Sequence, residues 1–549
     1  MTDSATELAE SINSAEMQGH LEEFAKRMKL SGTPAEAESF LYVQRKMEEY
    51  GFRTTLVRHE AFISLPGAAK LSVDGVAIEC ITHSMSRPTM PEGLTAEIVD
   101  VGDASDEQFR NRDLRGKILL ADGIASPAVA ARAARAGAAG SIHISPTEHR
   151  YEMCISPVWG SPAGETVGQM PVTTAVTINN PDGAALRARL AKGAKGRATI
   201  HAQVDTGWRD TPILVCDMDA PGGDDTTPFA MLSGHHDTWY FGVMDNGSAN
   251  ATMMEAARAC ALRRAEWRRG LRVCFWSGHS HGRYSGSTWY ADENWAELEA
   301  RCVAHVNVDS TGGVGAENLT HTGAASELWP LAAEAIAAHA GQDYKGRRHG
   351  RSGDQSFWGI GIPAMFGTLS SQPATPAGMR NALGWWWHTP HDTIDKVDAT
   401  NLLRDTRIVA HAVWRLLSDA TLPIDYARHA AALGAELAVI AGKLGGRFDL
   451  SALVAGAARL GALAAAGPHP DAAVMGASRA LVPMDYTAGD RFAHDSALPH
   501  PAWPVLQSLR DLAATPEGTE EARLLAVSAR RARNRMADAL NRACAALEA

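Results

Sequence analysis

The sequence has no C-x-x-C pair. Its cysteines (Cys80, Cys154, Cys216, Cys260, Cys274, Cys302 and Cys544) are odd in number and scattered. That usage argues against both a disulfide framework and a thiolate zinc site, and fits reduced, mostly buried thiols. Long apolar runs are also missing: the alanine-rich stretch from Ala455 to Gly467 is interrupted by Arg459 and by glycines, well short of the ~20 apolar residues of a membrane span. Positive charge is not in excess. Lys and Arg number 52 against 63 Asp and Glu, a net charge of −11, so the chain has no general attraction for nucleic acid or for an anionic membrane surface. A small-molecule or short peptide-like partner fits better. The first residues, MTDSATELAESINSAE, lack the basic and apolar segments of an export signal, so export is not expected and the chain reads as cytoplasmic.

What is present is ordinary globular composition, 45% hydrophobic and 21% charged over 549 residues, long enough for two or three domains. Residues 15–50 carry helical spacing (Leu21, Phe24, Met28, then Phe40, Val43, Met47) broken by Ser31-Gly32-Thr33-Pro34, the signature of a loop entering a fresh helix. From 66 to 204, short apolar runs alternate with turn signals, around an alanine-rich helix at 128–136. From 212 to 417, apolar strands at 229–232, 271–275, 303–308 and 363–366 alternate with helical stretches. This is the α/β pattern, in which functional groups gather at the carboxyl ends of strands. Helical periodicity at 427–444, 453–466 and 520–547 predicts an all-helical C-terminal region.

Three strand ends carry metal-type side chains. Gly234-His235-His236-Asp237-Thr238 follows the strand at 229–232, and Gly242-Val243-Met244-Asp245-Asn246-Gly247-Ser248 opens the next helix. Asp309 terminates the strand at 303–308, and Trp387-His388-Thr389-Pro390-His391-Asp392-Thr393 adds a further imidazole. Histidines and carboxylates offered from separate strand ends suffice for a binuclear N/O site with one bridging carboxylate.

In this order and spacing, G-H-x-D, G-x-x-D-N-G-S, a strand-terminal Asp and W/Y-H-T-x-x-D-T resemble the M28 family of co-catalytic zinc peptidases. The strand-helix-strand order around Arg115-Gly116-Lys117-Ile118 resembles a protease-associated domain. With the helical tail, the similarity points to the glutamate carboxypeptidase II and transferrin receptor branch. It covers nearly the whole chain, including Gly286-Ser287-Thr288, Gly361-Ile362-Pro363-Ala364 and the segment from Asp392 to Val397. The resemblance implies a mixed α/β sheet sandwiched by helices, of the binuclear zinc aminopeptidase type, at 1–65 and 205–422. It implies a β-rich protease-associated insert at 66–204, and a helical region at 423–549 through which the chain would form a homodimer. Carried over by position, His235 and Asp309 hold one ion, His388 the other, Asp245 bridges them, and Asp237 orients His235.

The chain departs from that pattern where active relatives have paired glutamates. Trp276-Ser277-Gly278-His279-Ser280-His281-Gly282-Arg283-Tyr284-Ser285-Gly286-Ser287 contains no carboxylate. Counting back from Gly286-Ser287 puts His281 at the ligand glutamate and Ser280 at the base, while counting forward from Phe275 puts His281 at the base. His281 as replacement ligand restores a cage of three histidines and two aspartates, suited to one or two divalent ions, zinc first and iron or manganese otherwise. His279 is the candidate proton acceptor, since an imidazole suits proton transfer near neutrality, unless metal-bound hydroxide acts unaided. His236 and His391 are expected to be exposed or supporting. Met365-Phe366-Gly367-Thr368 stands where glutamate-preferring relatives carry arginines, and Trp358, Trp386, Trp387 and Tyr284 are candidate walls of an apolar or aromatic substrate pocket, with core packing the alternative for Trp385, Trp386 and Trp387. Asp354 reads as a turn residue. The leading expectation is a metal-dependent hydrolase of an amide or peptide-type C–N bond. A lyase or iron-dependent reaction on the same scaffold, and a non-catalytic transferrin receptor-like binding protein, are the alternatives.

Overall fold

Strands that have helices on both faces have no polar side to show, and four such runs lie between residues 229 and 368. Phe229–His235, Gly270–Trp276, Cys302–Asp309 and Ala364–Thr368 are buried almost throughout and parallel to one another. Phe229–His235 lies between Gly270–Trp276 and Cys302–Asp309, and Ala364–Thr368 flanks the latter. Their carboxyl ends therefore open on the same side. This is a computed structural model, and it describes residues 4–351, 353–373, 383–488 and 490–549.

Two long antiparallel strands, Arg53–Val73 and Arg197–Met218, tie this sheet to a second unit. One end of the latter pairs with Gly270–Trp276, the other with Leu94–Asp100, and the register of the long pair breaks between Pro66 and Ala69. Beyond that break, Leu94–Asp100, Ile118–Asp122, Gly140–Ile144 and Thr174–Ile178 run parallel. Helix Pro127–Arg135 connects the second of these to the third, and helix Asn180–Ala191 leads from the last into Arg197–Met218. The insert, expected to be β-rich, is built mainly of strands, with three α-helices among its described residues, around its own core of Leu71, Val73, Ile118, Leu120, Ile142, Val176 and Ile200.

Helix ends follow local chemistry. Thr33 accepts the Glu36 N–H and Pro34 occupies the first turn of Pro34–Glu49, a preorganised start. Ala249–Leu262 and Ala399–Ser418 cover the main sheet with Met253, Met254, Ile408, Val409 and Val413. The predicted helical C-terminal region is present as Tyr426–Leu444, Ser451–Ala465, Asp471–Tyr486, Gln507–Ala514 and Glu520–Glu548. It packs through Leu433, Leu437, Leu460, Leu481, Met536 and Leu540. Among the described residues no helix is long and apolar enough to cross a membrane.

Candidate metal centre

His235 ends its strand with the Nδ1–H donating to the backbone carbonyl of Asp237 at 2.8 Å. The tautomer this fixes leaves Nε2 as the free nitrogen. Nε2 is buried without a hydrogen-bond partner among the described residues. It faces two carboxylates, Asp245 at 3.3 Å and Asp309 at 3.7 Å. The second oxygen of Asp245 lies 3.1 Å from His388 Nε2, and His388 Nδ1–H donates to the Glu152 carbonyl at 2.6 Å. Two imidazoles fixed from behind by backbone carbonyls thus aim their remaining nitrogens at opposite oxygens of one carboxylate, the arrangement of a bridging ligand.

The electrostatics match a cation. Burial works against charging His235, yet Asp245 and Asp309 raise its pKa well above the usual imidazole value. Burial likewise opposes ionisation of Asp245, but His235 and His388 hold it far below the usual carboxylate range. Asp392 sits behind, accepting the backbone N–H groups of Met244 and Asp245 at 2.8 and 3.0 Å. Burial, with the charge of Asp245, pushes its own carboxyl up to about 8.

The turn that lacks glutamates is shaped by Gly278, whose φ of +76° and whose Cβ position, 2.0 Å from Ser285 Oγ, admit no side chain. Asp237 does not hold His235 through its carboxylate, which stays 3.8 Å from Nδ1. It accepts instead from the backbone of His279 and Ser280 at 3.2 and 2.9 Å and from Ser31 Oγ at 2.5 Å. The carboxylate therefore orients the turn, and the backbone carbonyl orients the histidine.

His279 and His281 part company here. His279, with His235 and Asp309, offers ligand-type atoms within 4.8 Å of one another. His281 stands outside that group: its Nδ1 is 3.0 Å from Ser31 Oγ, its ring packs on Trp239, and burial pushes its pKa down to about 4. The His279 ring stacks on His235 with centroids 3.6 Å apart and 13° between planes. Lone pairs of stacked imidazoles lie in nearly parallel planes and do not converge on one ion, so His279 stands beside the His235 position rather than sharing its ion. Its Nδ1 pairs at 2.8 Å with Asp354, which is 1% exposed. Asp354 lies in a bend, as expected, but its carboxylate also pairs with His279 and Ser287, which sequence reasoning missed because those partners lie far away in the chain. Ser280 lines the pocket, while its Oγ is buried with no partner among the described residues.

A cavity of about 650 Å³ opens from Asp245, Asp309 and His388. Trp387 and Tyr284 line it, but Trp386 packs against Tyr151 and Met244, and Trp358 stacks on Tyr486 at 3.8 Å; those two are core. His236, expected near the surface or supporting the site, is fully buried between Phe24 and Phe40, with Nε2 on Ser39 Oγ. His391 packs against Trp385 and His149. The walls hold something unexpected: Arg283, Arg347, Arg348 and Arg351. Arg283 and Arg351 each carry a buried Nε without partner among the described residues, and burial pushes Arg351 down to about 10.

The comparisons with known proteins agree with this geometry. Residues 218–413 match the sequence model described as Peptidase family M28. The chain is similar to probable glutamate carboxypeptidase VP8 of Zea mays, 24% identical over 52% of this chain and 49% of that protein. It thus spans about half the length of that relative. It is also similar to aminopeptidase YwaD of Bacillus subtilis (strain 168), 25% identical over 72% of this chain and 82% of that one. Among solved structures, the aminopeptidase from Aneurinibacillus sp. strain AM-1 superposes with a TM-score of 0.59 at 22% identity. That likeness covers 76% of this chain and 97% of the other, and it is one of fold. The segment matched to that family, 218–413, contains every residue of the metal-facing cluster.

Proposed function

We propose that the protein is a metal-dependent hydrolase that cleaves an amide or peptide-type C–N bond at a centre bridged by Asp245. The observation that carries this reading is the Asp245 carboxylate set between His235 and His388 at 3.3 and 3.1 Å. His235 and Asp309 would hold one divalent ion and His388 the other, with zinc the natural choice for an N/O donor set of this size. When bound, such ions polarise the substrate carbonyl and acidify water.

His279, which lines the same cavity, takes the proton of the attacking water. The water oxygen's electron pair adds to the carbonyl carbon, and the carbonyl π pair moves onto its oxygen. As the C–N bond breaks, its pair goes to nitrogen and the proton held by His279 follows it, so one water and one amide yield one acid and one amine.

The substrate we infer is small, with an apolar or aromatic part against Trp387 and Tyr284 and an anionic group toward Arg283 and Arg351. Each guanidinium donates to one backbone carbonyl, of Cys154 and of Asp495, and leaves its Nε without a partner among the described residues, which favours a carboxylate. Ile124, Ser126 and Pro127 of the insert form one wall of the cavity, which supports reading 66–204 as a protease-associated cover. Exposed Val439, Val454, Leu524 and Val527 on the C-terminal helices support a homodimer through that region, and unpaired thiols throughout support a cytoplasmic setting.

The test is metal content together with hydrolysis of hippuryl-phenylalanine and of its C-terminal amide. We expect bound zinc, loss of hydrolysis on chelation, recovery on adding zinc, and at least a roughly tenfold preference for the free carboxylate. Protein that takes up no divalent ion would overturn the hydrolase; equal rates on acid and amide would overturn the anionic substrate.

A further inference from the structure

We propose that Asp354 is a positioning residue that fixes the tautomer and orientation of His279, so that a histidine–carboxylate pair does the proton transfer for which this chain has no glutamate. The assignment rests on the hydrolytic reading above.

Asp354 and His279 come from different loops and meet at 2.8 Å, Oδ2 to Nδ1. An ionised carboxylate only accepts, so the imidazole donates its Nδ1–H, and in the neutral ring Nε2 keeps the lone pair. The carboxylate cannot swing away, because its other oxygen accepts from Ser287 Oγ at 2.9 Å. Ser287 Oγ also lies 2.9 Å from Ser356 Oγ, which accepts the Trp159 indole N–H at 3.0 Å. The ring is held on two further sides, stacked on His235 and edge-on to Tyr284 at 4.8 Å. Among the described residues, both polar contacts of the Asp354 carboxylate, to His279 and to Ser287, serve this one orientation.

A buried carboxylate with a structural duty alone would be satisfied by Ser287 and backbone N–H groups. Here it spends one oxygen on a ring at the mouth of the metal-facing cluster. Removing a carboxylate that sets a base's tautomer costs on the order of 10²–10⁴-fold in turnover.

The experiment uses zinc-loaded, 15N-histidine-labelled protein, with His279→Gln to assign the His279 signals. In the parent protein Nδ1 carries the proton and Nε2 does not, and Asp354→Asn abolishes that Nδ1–H signal. On hippuryl-phenylalanine, Asp354→Asn lowers kcat by about 10²–10⁴-fold at unchanged KM and zinc content. In the His279→Gln background it adds less than about twofold, since a residue acting through another has nothing left to act on. Ser287→Ala, which keeps the pair but loosens it, gives a smaller loss of about tenfold and serves if Asp354→Asn fails to fold. Retention of the Nδ1–H signal in Asp354→Asn, full additivity with His279→Gln, or a loss traced to zinc release would overturn the proposal. If the parent protein does not hydrolyse the probe, the hydrolytic reading falls, and the tautomer measurement still decides whether Asp354 governs His279.

Discussion

At the scale of single residues, the centre is defined by what stands behind the donors. His235 and His388 are each anchored by a backbone carbonyl, and Asp245 by the Asp392 carboxylate through two N–H groups. Groups that orient ligands typically contribute 10–100-fold to metal affinity. Asp392→Ala should therefore weaken zinc binding by about that factor without unfolding the chain, as read by competition with a chromophoric chelator; unchanged affinity would show that the Asp245 segment holds itself. The four ligand-type residues His235, Asp245, Asp309 and His388 were legible because each sits at the carboxyl end of an apolar strand or in the loop beside one, a local pattern. The roles of His279 and His281 were not. Gly278, Arg283 and Tyr284 all have positive φ, and in such a turn a shift of one residue decides which side chain faces the centre. The role of Asp354 was missed because it depends on a partner contributed by another loop.

At the scale of elements, the strands of the main sheet were readable from continuous apolar runs, and the C-terminal helices from their periodicity. Longer-range packing was not: Trp358 looked like a pocket wall, yet it stacks on Tyr486 of the helix Asp471–Tyr486, a contact no local pattern announces. The helical region is held by leucines such as Leu460, fully buried in Ser451–Ala465. Leu460→Ala should cost about 2–5 kcal/mol of stability in that region, measured by urea unfolding, while zinc content stays the same. A fall in zinc content would mean that the helices support the centre directly.

Across the whole molecule, neutral histidines are buried far from the centre. Burial lowers His20 in the main unit and His143 in the insert from 6.5 to about 4 each. Between those values the unfolded chain binds protons that the native protein refuses, so this stabilisation is complete above pH ~6.5 and is lost as pH falls toward 4. Each group accounts for roughly 3 kcal/mol over that window. The urea midpoint of metal-free protein should decline steeply from pH 6.5 to 4, and a flat profile would contradict the burial of these rings. The same charge pattern sets the cavity, acidic where Asp245 and Asp309 converge and cationic along Arg283 and Arg351. Composition announced neither pole, because a net charge of −11 averages over surfaces that the fold keeps apart.

The central proposal is that Asp245 would bridge two divalent ions when they are bound, and the direct test is anomalous X-ray scattering at the zinc edge from crystals of the zinc-loaded protein. The account predicts two peaks flanking the Asp245 carboxylate, one shared with His235 and Asp309 and the other with His388. A single peak remote from Asp245, or none, would contradict it.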